Sequence, residues 1–134
     1  MYKTLFRGIN ESGQWVKGSL ITTYDGQCFI QESRYYLDIA FDTHAFSATQ
    51  VLSHTVGQYI GLEDKNGEMI FKGDRVTNQS GIEWIVIWDK DNARFALEYV
   101  DKGMGICSIN SVWIIETGLE VIGKMTDKKE ANNV

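Results

Sequence analysis

The 134-residue chain has no proline, only two cysteines and two histidines, and no long apolar run. Each shortage excludes something. Without proline, helix ends and tight turns must be marked by other residues, above all glycine. Cys28 and Cys107 stand far apart in no metal-binding spacing. They read as two buried free thiols, since pairing them would need an oxidising compartment. His44 and His54 form no His-x-x-x-His pair, and no Cys-x-x-Cys is present, so a zinc site would need assembly from distant elements. No run approaches the roughly 18 apolar residues of a membrane-spanning helix. Residues 1–7 hold no long apolar stretch that would serve as a secretion signal. The expectation is a cytoplasmic protein with no metal, no cofactor and no membrane partner.

Runs of one charge are scarce too. Eighteen acidic and thirteen basic residues are intermixed, for a net charge of −5, and no basic run exceeds Lys128-Lys129. Nucleic-acid affinity rests largely on neutralised phosphates, so this balance disfavours a nucleic-acid partner while leaving room for a local patch. What is present is ordinary globular material: 43% hydrophobic and 23% charged residues, with four Trp, six Tyr and six Phe. A chain of this length buries roughly two thirds of its unfolded surface and needs no disulfide or metal staple. We expect one β-rich domain over residues 1–124, then a frayed, polar tail over 125–134.

The dominant hydrophobic period is two. Tyr35, Leu37, Ile39 and Phe41 alternate with Arg34, Tyr36 and Asp38, the pattern of a half-buried strand. Between Gly81 and Asp89, Ile82, Trp84, Val86 and Trp88 fall on one side and Ile85 and Ile87 on the other, which reads as a central strand buried on both faces. Arg94 to Val100 alternates through Phe95, Leu97 and Tyr99, and pairs with the preceding strand across Asp89–Asn92 as a hairpin. Gln14 to Thr23 is rich in β-formers. Turn signals at Asn10–Gly13, Asp25-Gly26, Asn66-Gly67 and Lys72-Gly73-Asp74 break the chain at short intervals, the second and third reading as type I′ turns. Ser108 to Glu116 fits one or two helical turns capped by Ser108, or a strand, because Val112, Ile114 and Ile115 are β-branched. Residues 42–55 are equally ambiguous. The predicted class is all-β, mainly antiparallel, a bent sheet forming a barrel or sandwich, SH3-like in part, with room for one short helix.

No stretch carries recognisable chemistry. Ser53-His54 and Cys107-Ser108 offer nucleophiles, but in no Gly-x-Ser-x-Gly frame. Gly103-Met104-Gly105 lacks the third glycine and the Lys-Ser/Thr of a phosphate cradle, and reads as a loop between strands. Glu63-Asp64, Asp89 with Asp91, and Asp74 beside Arg75 read as turn residues rather than a glycosidase pair. Asn78-Gln79-Ser80 matches a glycosylation acceptor that has no consequence in the cytoplasm. Arg34-Tyr35-Tyr36 and Trp15-Val16-Lys17 interleave aromatics with cations, as a stacking surface for single strands would. Sheet packing accounts for them more simply. No catalytic, cofactor-binding or metal-binding residue is assigned, and the expectation is that the protein is not an enzyme.

One stretch is distinctive: VGQYIGLEDKNGEMIFKGDRV, residues 56–76. It reads as a strand, a turn at Asp64–Gly67, a strand through Met69–Phe71 and a tight turn at Lys72-Gly73-Asp74, with Gly57 and Gly61 marking bulges or close backbone approach. This stretch resembles the signature of the YopX family, as do LFRG (5–8), Gly81 to Phe95 with its tryptophans, and LEVIG (119–123). Ile60 stands where the family usually has Thr, and Lys124 onwards departs from its C-terminal segment. The resemblance implies a mainly β protein of a phage, prophage or plasmid, and no particular activity. Three functions stay open at this point: a non-catalytic interaction module acting on another protein or on itself as a homo-oligomer, a nucleic-acid-binding small β-barrel, and an enzyme of unrecognised type.

Overall fold

The computed structural model describes residues 4–32, 48–101 and 103–124. The strand expected over 34–41, the Arg34-Tyr35-Tyr36 stretch, His44 and the tail 125–134 lie outside these residues. The described chain is mainly antiparallel β with one short α-helix, as expected. Its strands are β1 (Phe6–Ile9), β2 (Trp15–Thr22), β3 (Cys28–Glu32), β4 (Thr49–Val51), β5 (Gly57–Glu63), β6 (Met69–Phe71), β7 (Asp74–Thr77), β8 (Glu83–Asp89), β9 (Arg94–Tyr99), β10 (Ile106–Cys107) and β11 (Glu120–Lys124). The helix, α1, spans Ser111–Thr117. Residues 42–55, ambiguous in sequence, include β4 and a 3-10 turn at Ser53–Thr55.

The strands form two sheets, ordered β4-β3-β2-β1-β5-β6 and β10-β9-β8-β7-β11. The chain also falls into two compact units that divide between Tyr59 and Ile60, inside β5. The first unit is built on Ile30, Val51 and Cys28, with Phe6, Val16, Leu20 and Val56 packed around them. Its β2 and β3 lie so close that a Cβ on Gly18 would sit 1.9 Å from the Gln31 carbonyl oxygen. Only a residue without a side chain fits there.

The second unit is built on Trp84, Val86 and Leu97, with Ile60, Ile70, Val76, Ile114 and Leu119. β8 is the middle strand of its sheet, as its density of apolar residues predicts. It is not buried equally on both faces, however. Trp84 and Val86 are buried, whereas Ile85 and Ile87 are half-buried and Trp88, near the strand end, is 45% exposed and meets Phe95 edge to face. The β8–β9 hairpin pairs Trp84 with Tyr99 through Asp89 with Arg94.

One turn chemistry recurs four times. Asn10, Thr23, Asp64 and Asn78 each open a loop that ends in a glycine three residues on: Gly13, Gly26, Gly67 and Gly81. In each, the glycine N–H donates to the opening residue's carbonyl, and that residue's N–H donates to the carbonyl four residues ahead. Only the glycine has positive φ; Asp25 and Asn66 do not. The turns at Asp25-Gly26 and Asn66-Gly67 are therefore not type I′, which needs positive φ at both central residues. They are three-residue hairpin loops closed by a left-handed glycine. The opening side chain explains the choice: Asn10, Asp64 and Asn78 accept backbone N–H groups two and four residues ahead. That bonding favours an αR turn over its mirror image.

The 108–116 ambiguity resolves as helix. Its cap is Asn110, not Ser108: the Asn110 side chain accepts the Trp113 N–H at 2.8 Å. At the other end Gly118 takes the left-handed conformation, and the Ile114 carbonyl accepts from both Gly118 and Leu119. These two caps outweigh the strand preference of the β-branched residues. Ile114 is buried in the core while Val112 and Ile115 face solvent.

Candidate functional site

Two carboxylates of the distinctive stretch 56–76, Asp64 and Asp74, hold the fold together. Asp64 is buried, and its carboxylate accepts three backbone N–H groups: Asn66 at 2.8 Å, Glu68 at 2.9 Å and Val121 at 2.9 Å. The first two hold the β5–β6 turn, and the third fastens that turn to β11. Asp74 is fully buried and accepts the Phe71 N–H at 2.8 Å across the Gly73 turn, while Gly73 donates to the Val86 carbonyl.

Other sequence candidates are likewise placed by the fold. Ser53-His54 lies in the 3-10 turn with His54 exposed, and the buried hydroxyl beside it belongs to Thr55, which accepts from Ile9 and donates to Leu52. Cys28 and Cys107 are both free. Burial pushes the Cys107 thiol up, against the opposing pull of Tyr99, Arg94 and Trp84. An activated nucleophile needs the opposite shift. Its neighbour Ser108 accepts from Arg94 at 2.7 Å. Asp89 accepts from Asn92 at 2.9 Å and Arg94 at 3.1 Å, and these two, Asn92 first, hold its carboxyl below the usual aspartate range. Trp15 of the Trp15-Val16-Lys17 stretch is covered by the Arg7 guanidinium, 4.9 Å above its ring. Asn78-Gln79-Ser80 is one of the four glycine-closed turns.

The structure does bring one set of side chains together that sequence reading did not. Where β7, β8 and β9 end beside one another, a pocket of about 460 Å³ opens to solvent. That is within the usual range for a binding cleft, roughly 300–1,000 Å³. Arg75 and Glu83 form an ion pair in it, a diagonal pair across β7 and β8, since Arg75 lies opposite Ile85 and Glu83 opposite Thr77. Ile82, Tyr99 and Met104 supply apolar wall, and Asp101 supplies a second carboxylate. Ile82 is 41% exposed and Met104 59% exposed, so two large apolar side chains stand in water beside polar groups. The Gly103-Met104-Gly105 stretch is indeed a loop between strands, and both glycines take positive φ. Met104 of this loop lines the pocket. No sequence signal could have assembled this set: Arg75, Glu83 and Asp101 meet only because β8 pairs with both β7 and β9.

Among the described residues no three His, Cys, Asp or Glu side chains are grouped to hold a metal ion. No helix among them is long and apolar enough to cross a membrane. Compared with known families, residues 6–129 match the model of the family described as YopX protein, nearly the whole chain. No curated protein sequence matches it.

Proposed function

The chain belongs to the YopX family, and from that premise we propose that it is a non-catalytic interaction protein of a phage, prophage or other mobile element, acting in the cytoplasm on a protein partner. One observation carries this reading: the pocket at the ends of β7–β9, where Ile82 and Met104 stay exposed beside the Arg75–Glu83 pair. Exposed apolar side chains rimmed by charge are the usual composition of a protein-docking patch. The polar groups of the family signature support the same reading, because Asp64 and Asp74 are engaged with backbone N–H groups. Catalysis is no part of the proposal.

Affinity capture with the tagged full chain from a bacterial lysate, with and without nuclease, tests it. The expected outcome is a specific host or phage protein retained after nuclease and lost when Met104→Glu is introduced into the pocket wall. Enrichment that collapses after nuclease would instead favour a nucleic-acid-binding role. Capture of untagged copies of the chain alone would make the partner a second copy.

A further inference from the structure

The charge and shape of the β7–β9 pocket bear on what it holds, an inference that rests on the interaction reading above. Two carboxylates, Glu83 and Asp101, line it against one guanidinium, Arg75. Arg75 is already paired with Glu83, and its Nε is buried without a hydrogen-bond partner among the described residues; it keeps 23% of its side-chain surface in solvent, so the carboxylates are offered to a ligand more than the cation is. Asp101 is exposed, and Glu83 keeps 40% of its side-chain surface in solvent. Among the described residues, the uncommitted charge at the mouth is therefore negative. Behind it the walls are apolar or aromatic: Ile82, Tyr99 and Met104.

A long aliphatic stem ending in a cation fits those two requirements together. Basic side chains bury their methylenes along apolar surface while the charged head reaches polar groups. The Tyr99 ring and the methionine thioether are soft, polarisable contacts for such a stem and head. A phosphate-bearing ligand would face two carboxylates and a single guanidinium already paired with one of them. A purely apolar ligand would desolvate Asp101 without giving it a partner, which is costly. The whole chain, at a net charge of −5, favours the encounter of a basic partner over an acidic one.

We propose that the pocket lined by Ile82, Glu83, Tyr99, Asp101 and Met104 receives an exposed arginine or lysine side chain of a partner protein, its stem along Ile82 and Met104 and its cation at Glu83 and Asp101. The pocket is the specificity element of the docking surface.

The test titrates the 15N-labelled full chain with Nα-acetyl-arginine amide and Nα-acetyl-lysine amide at low salt, with Nα-acetyl-norleucine amide as the neutral control. The expected result is saturable shifts at Gly81, Ile82, Glu83, Val100, Asp101 and Met104 with a cationic probe. Affinity should fall at least threefold in Asp101→Asn, whose side chain is exposed in a loop and should leave the melting temperature unchanged. Absent or scattered shifts with both cations, or equal binding of the neutral probe, would overturn the proposal. The captured partner separates the two readings. A partner lost in Met104→Glu but held as tightly by Asp101→Lys as by the wild type keeps the interaction reading and sinks the cation pocket. Capture at least tenfold weaker with Asp101→Lys supports both.

Discussion

Aspartate takes opposite environments in this protein. Asp64, Asp74 and Asp89 are buried and accept hydrogen bonds, while Asp101 stands in solvent at the pocket mouth. Burial without partners would cost each of the first three heavily, so the hydrogen bonds account for their presence inside the fold. Asp89 also makes stability depend on pH. Its carboxyl is held below the usual aspartate value by Asn92 and then Arg94. A carboxyl whose folded pKa lies below its unfolded one contributes stability that is fully present above the unfolded value, about 3.9. That contribution is lost as pH falls from there through the folded value. Asp89→Asn should therefore melt at a lower temperature than the wild type at neutral pH, and the gap should narrow below pH about 4. Melting curves of both proteins between pH 7 and pH 2 check this. A gap that stays constant through the acid range would remove Asp89 from the list of acid-sensitive groups.

At the scale of elements, the turn that Asp64 opens does more than reverse the chain. The same carboxylate that orders Lys65-Asn66-Gly67 also receives the Val121 N–H of β11, and Lys65 donates to the Leu119 carbonyl just before that strand. Two segments more than fifty residues apart are thus tied through one side chain. Asp64→Ala leaves three N–H groups without their acceptor, and should cost about 2–4 kcal/mol, given roughly 1–3 kcal/mol for each buried group left unpaired and water reaching the outer two. Asp64→Asn keeps one carbonyl oxygen and should cost roughly half as much. Urea denaturation of the three proteins measures both differences, and an alanine variant as stable as the wild type would mean that Val121 finds another acceptor. This element was legible in sequence as a turn, because Asp-x-Asn-Gly between apolar runs has few other solutions. Its type was not. The choice between type I′ and the three-residue loop depends on which N–H groups the first side chain captures, and that bonding is tertiary detail. The helix boundary escaped for a similar reason: Ser108 and Asn110 are both good caps, and Arg94, fourteen residues earlier in the chain, takes Ser108 for itself. The pocket was the least legible of all, since its walls come from strand ends whose register only the paired sheet fixes.

At the scale of the molecule, the question is whether two cores make two folding units. The first unit has its core around Ile30 and the second around Trp84 and Leu97, yet β5 runs unbroken from one into the other. Unfolding either core would leave half of that strand without its neighbours: β1 pairs with Phe6 against Gln58 and Arg7 against Gly57, and β6 is the next strand on the other side. A chain of this size with a shared strand should unfold in one cooperative step, in keeping with the single domain proposed over residues 1–124. The tryptophans report this directly. Trp15 belongs to the first unit, and Trp84, Trp88 and Trp113 to the second. In Trp15→Phe, fluorescence follows the second unit alone while far-UV circular dichroism follows both. Coincident urea midpoints are expected for the two signals. They should also coincide after Ile30→Ala, a buried truncation worth about 2–5 kcal/mol in the first core. If Ile30→Ala lowers the dichroism midpoint while the fluorescence midpoint stays where it was, the two units unfold independently and β5 is a linker that happens to be strand.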